Sequence, residues 1–240
     1  MPFPVAHPAA VLPLRRYCPR CLSFPALIAG SLSPDFGHVF GHLHVDWFSH
    51  RFWAGSFGFC LPAGLLTVGV FYLVRSPLLE ILPGRYKDLF WPLCRRPAGP
   101  WLALPVSVLI GAWTHNLLDS ISHEYGWLVG HIPALRQPVF WLGASGVPVC
   151  DLLYAGFTFC GAAWLADCYL RWLEQATGSP AVARPATRWS CAVLFGAATL
   201  ALATAGRGEY RLLGLIPVGI VTVVVVLGFL AATVWLFSAK

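Results

Sequence analysis

The sequence predicts an all-α fold, a polytopic transmembrane helical bundle with about five spans and an amino-terminal helical hairpin. Its 240 residues are 58% hydrophobic and 11% charged, whereas soluble domains are about 45–50% apolar and about 25% charged. This composition excludes a soluble globular enzyme, and the 11 Trp and 16 Phe residues exclude a disordered chain. The 16 Lys and Arg residues stand between apolar segments, which predicts contacts with the lipid bilayer and its anionic headgroups rather than with nucleic acid.

Long apolar stretches define the predicted spans, because crossing a bilayer takes about 20 mostly apolar residues. The predicted spans are residues 52–74, 101–119, 149–172, 189–205 and 212–237. Asp151 and Asp167 stand near the two ends of the third of these spans, so they can lie at opposite interfaces. The remaining apolar pieces, 2–14 and 21–32, are broken by proline or too short, and they flank Arg15, Arg16 and Arg20. We expect them to form a hairpin that dips into the protein.

The Lys and Arg residues of the loops predict the orientation. Five of them lie in the loop 75–100, and the loop 120–148 contains only Arg136. Because positive residues accumulate on the cytoplasmic side, loops 75–100 and 173–188 are expected in the cytoplasm and loop 120–148 outside. The chain lacks the pattern of a cleavable signal peptide, so insertion is expected to rely on its own spans.

Histidine is unevenly distributed, and this divides the chain into two predicted modules. All eight His residues lie between positions 7 and 131, so residues 1–148 are interpreted as the site-bearing module and residues 149–240 as a transmembrane scaffold. One cluster contains four His residues and two Asp residues: Asp35, His38, His42, His44, Asp46 and His50. Ionisable groups beside a span are costly unless they are paired or bind a metal.

The second cluster lies in the segment WTHNLLDSISHEYGW. His115 and Asp119 are four residues apart and share a helix face, and His123 continues the same stripe. An imidazole and a carboxylate on one helical turn can ligate one metal ion, but they can also simply hydrogen-bond each other and lipid headgroups. Together the two clusters and His7 predict a metal or acid–base site. The chain contains neither a G-x-S-x-G elbow nor a P-loop.

Four segments in order resemble an uncharacterised family of bacterial integral membrane proteins known as a domain of unknown function. They are MPFPVAHPAAVLPLRR, ALIAGSLSPDF, HRFWAGSFGFCLPAGLL with VRSPLLEILP, and SVLIGAWTHNLLDSISHEYGW. The resemblance covers roughly residues 1–175 and implies an integral protein of the bacterial cytoplasmic membrane, without an assigned activity.

A more distant resemblance concerns the order of the polar residues along the chain. This order is similar to the metal-binding pattern of inner-membrane proteins described as metal-dependent hydrolases. It is also similar to the pattern of the zinc-dependent phospholipase C and P1-nuclease group. This likeness implies zinc or another divalent metal held by His7, Asp35, His50, His115, Asp119 and His123. It also implies that Asp35 and Asp119 are catalytic, bridging ions or orienting water. The second H-x3-D/E pair of the soluble enzymes is missing, because Leu135 stands four residues after His131. The amino-terminal Trp ligand of those enzymes is missing as well. We therefore expect at most one or two ions.

These observations predict a metal-dependent hydrolase that acts on phosphoester or lipid-like substrates at the membrane surface. In the predicted topology all six ligands reach the same membrane face. Two alternatives remain open at this point. One is a non-catalytic membrane protein with a structural His/Asp cluster, and the other is a transporter with a proton or metal relay, whose charges would lie midway across the membrane.

Overall fold

The structure is a computed structural model that describes residues 4–37, 45–142, 145–179, 182, 184–205 and 215–237. It is mostly helical. The α-helices are α1 (Pro8–Val11), α2 (Phe24–Leu32), α3 (Val45–Ser49), α4 (Leu61–Ile81), α5 (Gly84–Cys94), α6 (Ala103–Ser122), α7 (Trp127–His131), α8 (Val149–Thr177), α9 (Pro185–Ala205) and α10 (Leu215–Phe237). A π-helical turn, Ser56–Cys60, leads directly into α4, and 3-10 turns are present at Pro4–Ala6, Leu12–Tyr17 and Pro133–Arg136.

The amino-terminal segment consists of short helical pieces. Proline stands in the first turn of α1 and of Leu12–Tyr17, where its missing N–H is tolerated and where it interrupts a longer helix. Helix α2 begins cleanly because the hydroxyl of Ser23 accepts a hydrogen bond from the Ala26 amide. The two predicted arms are therefore present as short pieces that contact each other. Whether they dip into a bilayer stays a prediction.

Three helices within the described ranges are long and apolar enough to cross a membrane: Ser56–Ile81, Val149–Thr177 and Pro185–Thr204. They coincide with three of the five predicted spans. The stretch 101–119 forms α6, but its polar residues keep α6 out of this set. Within α10, Val223–Val234 is an apolar segment that is shorter than these three helices. The structure thus supports membrane association, and the count of five spans stays a prediction.

Helices α2 and α6 pack side by side in the same direction. The Ser23 amide donates to the Ser107 hydroxyl at 2.8 Å, and eight residues further along both helices Ser31 contacts His115. The backbones approach closely because glycine faces the partner helix on both sides. A Cβ atom on Gly30 would lie 2.1 Å from the Val108 carbonyl oxygen, and one on Gly111 would lie 2.3 Å from that of Leu27. This packing brings the end of α2 beside the polar end of α6.

A two-stranded sheet, which the sequence analysis did not predict, accompanies the helices. Strand β1 (Pro138–Leu142) pairs antiparallel with β2 (Ser145–Pro148), with Trp141 opposite Gly146 and Phe140 opposite Val147. The sequence analysis treated residues 120–148 as a loop. The physical reason for the strands is local, since the stretch PVFWL is rich in aromatic and β-branched residues.

A buried ion-pair network joins the carboxyl-terminal half of α8 to α9. The carboxylate of Asp167 accepts from Arg171 Nε at 2.7 Å and lies 2.9 Å from Arg188 Nε, and Arg188 also donates to Glu174 at 3.1 Å. Asp167 is therefore compensated by two guanidinium groups, as a buried carboxylate requires.

Candidate metal centre

Helix α6 carries the centre of the polar cluster. His115 and Asp119 stand one turn apart on its buried face, and His115 Nε2 lies 3.1 Å from Asp119 Oδ2. This is the i,i+4 relationship predicted from the sequence. The rest of the cluster forms around these two side chains from four other parts of the chain.

The Asp119 carboxylate is surrounded by imidazole nitrogens. Its Oδ2 atom also lies 3.4 Å from His50 Nε2, which follows α3. Its Oδ1 atom lies 3.7 Å from His7 Nε2 and 3.8 Å from His123 Nε2. Each oxygen of Asp119 thus faces two histidines, so one carboxylate links all four rings.

Asp35 approaches the cluster from the segment that follows α2. Its Oδ1 atom lies 3.7 Å from His115 Nε2, and the side chain is buried. The pKa of Asp35 is raised to about 6, chiefly by burial; the His115 and His50 rings lower this pKa, whereas the Asp119 carboxylate raises it.

Hydrogen bonds behind two of the rings fix their orientation. His115 Nδ1 donates to the Ser31 carbonyl oxygen at 2.8 Å. The Ser49 hydroxyl donates to the Pro34 carbonyl oxygen at 2.8 Å, so it accepts from His50 Nδ1 at 3.1 Å. Both rings therefore carry a proton on Nδ1 and turn Nε2 toward the carboxylates. Metal-binding histidines are typically held in this way.

The π-helical turn Ser56–Cys60 supports the position of His50. The Cys60 thiol donates to the Ser49 carbonyl oxygen at 3.3 Å, which ties the end of α3 to the start of α4. Gly55 allows the close approach, because a Cβ atom there would lie 2.1 Å from the Phe48 carbonyl oxygen. Isolated π-helical turns are frequent at functional sites.

His7 completes the buried part of the cluster from the short amino-terminal pieces. Its ring stacks on that of His115 with centroids 3.7 Å apart and an angle of 17° between the planes. The neighbouring residue Ala6 packs against Gly161 of α8, and a Cβ atom added to Gly161 would lie 3.0 Å from the Ala6 Cβ atom. The stack therefore places the His7 ring directly against the ring of His115.

The donor atoms have the spacing of a metal site. Two overlapping sets have all their ligand atoms within 4.8 Å of one another, His7 with Asp35 and His115, and His50 with His115 and Asp119. Ligands bonded to one zinc ion at about 2.0–2.2 Å in a tetrahedron lie about 3.3–3.6 Å apart. Of the nitrogen–oxygen separations here, the one between His50 and Asp119 is 3.4 Å and lies inside that range, and those of 3.7–3.8 Å are slightly longer. All of these exceed the usual N–H···O distance of about 2.7–3.2 Å, whereas His115 and Asp119 are 3.1 Å apart. The buried His/Asp cluster can therefore hold a metal ion.

All six residues predicted as ligands lie together in the structure, on segments far apart in the chain. His38, His42 and His44 lie outside the described residues, as does the side chain of Asp46. His131 is exposed and bonds the Trp127 carbonyl oxygen. The sequence analysis missed Ser31, Ser49 and Asn116, the first two because they act through backbone or hydroxyl groups that have no sequence signature. Asn116 stands inside the segment THNLLD, where its place beside His115 was a usable signal.

Comparison with curated proteins gives no match, and comparison with solved structures gives none either. A family model described as a domain of unknown function, DUF4184, matches residues 1–239. This confirms the predicted membership in an uncharacterised family, whereas the likeness to hydrolases and the bacterial origin stay predictions. The chain thus belongs to the DUF4184 family, a domain family of unknown function.

Proposed function

We propose that this protein is a membrane-embedded metalloprotein that binds zinc and hydrolyses phosphoester or lipid-like substrates at the membrane surface. The observation that carries the proposal is the convergence of four imidazoles on two buried carboxylates. The proposed ligands are His7, Asp35, His50, His115, Asp119 and His123. Imidazole nitrogen and carboxylate oxygen are the donors that zinc accepts readily.

Asp119 is the residue best placed to bridge two ions. One of its oxygens faces His50 and His115, and the other faces His7 and His123. One divalent ion would be neutralised by the carboxylates of Asp35 and Asp119, whereas two ions would leave a net charge of about +2 with neutral histidines. Two ions would therefore favour an anionic substrate such as a phosphoester.

The catalytic roles divide between the two carboxylates. Zinc, when bound, supplies a water molecule whose pKa is lowered to about 7. Asp35 would accept a proton at the site through its carboxylate, since its Oδ1 atom lies 3.7 Å from His115 Nε2 at the centre of the cluster. Asp119 would fix the relative positions of the ligand histidines. Access is from the side of His50 and His123, whose side chains are 25% and 20% exposed.

The surroundings of the cluster support a location at the bilayer surface. His50 and Cys60 lie near the amino end of the helix Ser56–Ile81, and the basic segment 75–100 begins toward the other end of this helix, about 28 Å from Ser56. The exposed rings of Phe52 and Trp53 contact Trp113 beside the cluster, as expected of an interfacial aromatic belt. We infer that the site faces away from the cytoplasm of a bacterial cell, and that the basic loop meets anionic headgroups.

A non-catalytic role for the cluster is the second candidate, and one distance favours it. His115 and Asp119 are already within 3.1 Å of each other, so this pair alone can be satisfied without an ion. A transporter relay fits less well, because the polar residues gather at one end of α6 rather than along a path across the membrane.

Metal analysis of the detergent-purified protein tests the proposal. We expect one to two zinc ions per chain in the wild type, a large loss in His115→Ala and Asp119→Ala, and no loss in His131→Ala, the matched control on an exposed histidine. A wild-type protein without metal, or core variants with full metal content, would refute the metal site. Full metal content without hydrolysis of any substrate in a phosphoester panel would favour the non-catalytic candidate.

A further inference from the structure

We propose that Asn116 is a positioning residue that hydrogen-bonds a phosphate-type oxyanion at the metal centre, an inference that rests on the proposed function. Asn116 is 8% exposed, and its Nδ2 and Oδ1 atoms have no hydrogen-bond partner among the residues that the structure describes. Burial of an amide without partners is destabilising. A buried polar group of this kind beside a ligand site indicates that the ligand supplies the missing hydrogen bonds.

The position of Asn116 on α6 directs it toward the cluster. It follows His115, precedes Asp119 by three residues and precedes His123 by seven. Residues three apart on a helix share a face, so Asn116 lies on the same side of α6 as Asp119, and His123 follows directly after the last helical residue, Ser122. His123 is one of the two partly exposed ligands, and a small anion entering beside it passes this amide.

The chemistry of the amide selects an oxyanion rather than a metal ion as its partner. Asn offers two N–H donors and one carbonyl acceptor and carries no charge. It therefore adds no negative charge that would cancel the positive charge of two bound ions. Its N–H groups would donate to an oxygen of phosphate that the ions also attract, and its carbonyl would accept from a protonated oxygen of the same group. The amide thus favours a tetrahedral anion with both donor and acceptor oxygens.

Phosphate binding to the cobalt-loaded protein tests this role without a substrate. The full chain in detergent is loaded with Co²⁺, and inorganic phosphate is titrated while the visible cobalt bands are recorded. For Asn116→Leu we expect unchanged cobalt stoichiometry and about tenfold weaker phosphate binding, the size of one hydrogen bond to a charged group. The matched control is Ser120→Ala, because Ser120 is half-buried on the same helix and its hydroxyl donates to the Leu117 carbonyl oxygen. This variant should bind phosphate like the wild type.

A second variant keeps the test decisive if Asn116→Leu misfolds. Asn116→Asp retains the shape of the side chain but adds a negative charge, so it should retain cobalt and weaken phosphate binding further. Unchanged phosphate affinity in either folded variant would overturn the role of Asn116, and so would a cobalt-loaded wild type that does not bind phosphate. Loss of cobalt in both variants would make Asn116 part of the metal site itself and would also overturn it. A wild type that does not bind cobalt would instead refute the metal site.

Discussion

The contact between α2 and α6 controls the metal centre, and Gly111→Ala tests this dependence. A Cβ atom at Gly111 would lie 2.3 Å from the Leu27 carbonyl oxygen, 2.7 Å from the Ser31 amide nitrogen and 2.9 Å from the Gly30 carbonyl carbon. All three are backbone atoms of α2, so no side-chain rotation can relieve the overlap. The helix itself must move.

The size of the movement follows from the distances. An ordinary carbon–oxygen contact is about 3.4 Å or longer, so α2 must withdraw by about 1 Å near Leu27 and Ser31. The hydrogen bond from His115 Nδ1 to the Ser31 carbonyl oxygen, now 2.8 Å, would stretch beyond its useful range. Overpacking of this kind costs about 1–3 kcal/mol, partly offset by the gain of about 1 kcal/mol from replacing a helical glycine.

Zinc affinity and thermal unfolding of the same preparations measure the effect. We expect Gly111→Ala to bind zinc at least tenfold more weakly in competition with a chelator, because His115 loses its orienting bond and Asp35 moves with α2. The matched control is Gly156→Ala in α8, where an added Cβ meets nothing within 4 Å. That variant should keep its zinc affinity and unfold at an equal or higher temperature.

The refuting result is clear. If Gly111→Ala binds zinc and unfolds like Gly156→Ala, the close approach of the two helices does not position the centre. The parallel packing of α2 and α6 would then be incidental to the site.

Three further predictions concern pH, the ion-pair network and metal removal. Zinc affinity should fall as pH drops through about 6, because Asp35 must lose its proton to bind zinc. In the metal-free protein, the raised pKa of Asp35 should make stability decrease as pH rises from about 4 to about 6, because the buried carboxylate ionises over this range. Asp35→Asn should remove this pH dependence from the unfolding midpoints. Arg188→Met should destabilise by less than the roughly 3–5 kcal/mol of an uncompensated buried charge, because Arg171 still pairs with Asp167. Arg171→Met, whose side chain is 53% exposed, should lower the thermal unfolding midpoint less than Arg188→Met does. Chelation of zinc should lower the unfolding midpoint of the wild type, and added zinc should restore it.

Local patterns in the sequence were sufficient for the parts of the molecule that depend on local physics. The pairing of His115 with Asp119 follows from helical spacing alone, and the apolar stretches 52–74, 149–172 and 189–205 match helices that can span a membrane. The six proposed ligands came from a resemblance in residue order, which spacing could not have supplied. His7, Asp35 and His50 lie on three separate segments whose approach depends on tertiary packing.

Other features could not be read from the sequence because their causes are not local. The tautomers of His50 and His115 depend on the Pro34 and Ser31 carbonyl groups, which every residue type provides equally. Gly30 and Gly111 fit a helix contact only when both helices are known to face each other. The strands β1 and β2 had a local signal in their aromatic residues, but the apolar character of the whole chain obscured it.

The parallel arrangement of α2 and α6 has a consequence for the order of events during synthesis. Two neighbouring helices that point the same way need a long connection. Here the connection from the end of α2 to the start of α6 contains α3, α4 and α5. His7, Asp35 and His50 are therefore translated well before the helix that supplies His115 and Asp119. Until α6 has been synthesised, Asp35, His7 and His50 lack the side chains of His115 and Asp119 that they contact in the folded protein. Capture of the metal by all six ligands can thus come only after His123 has been made, about halfway along the chain.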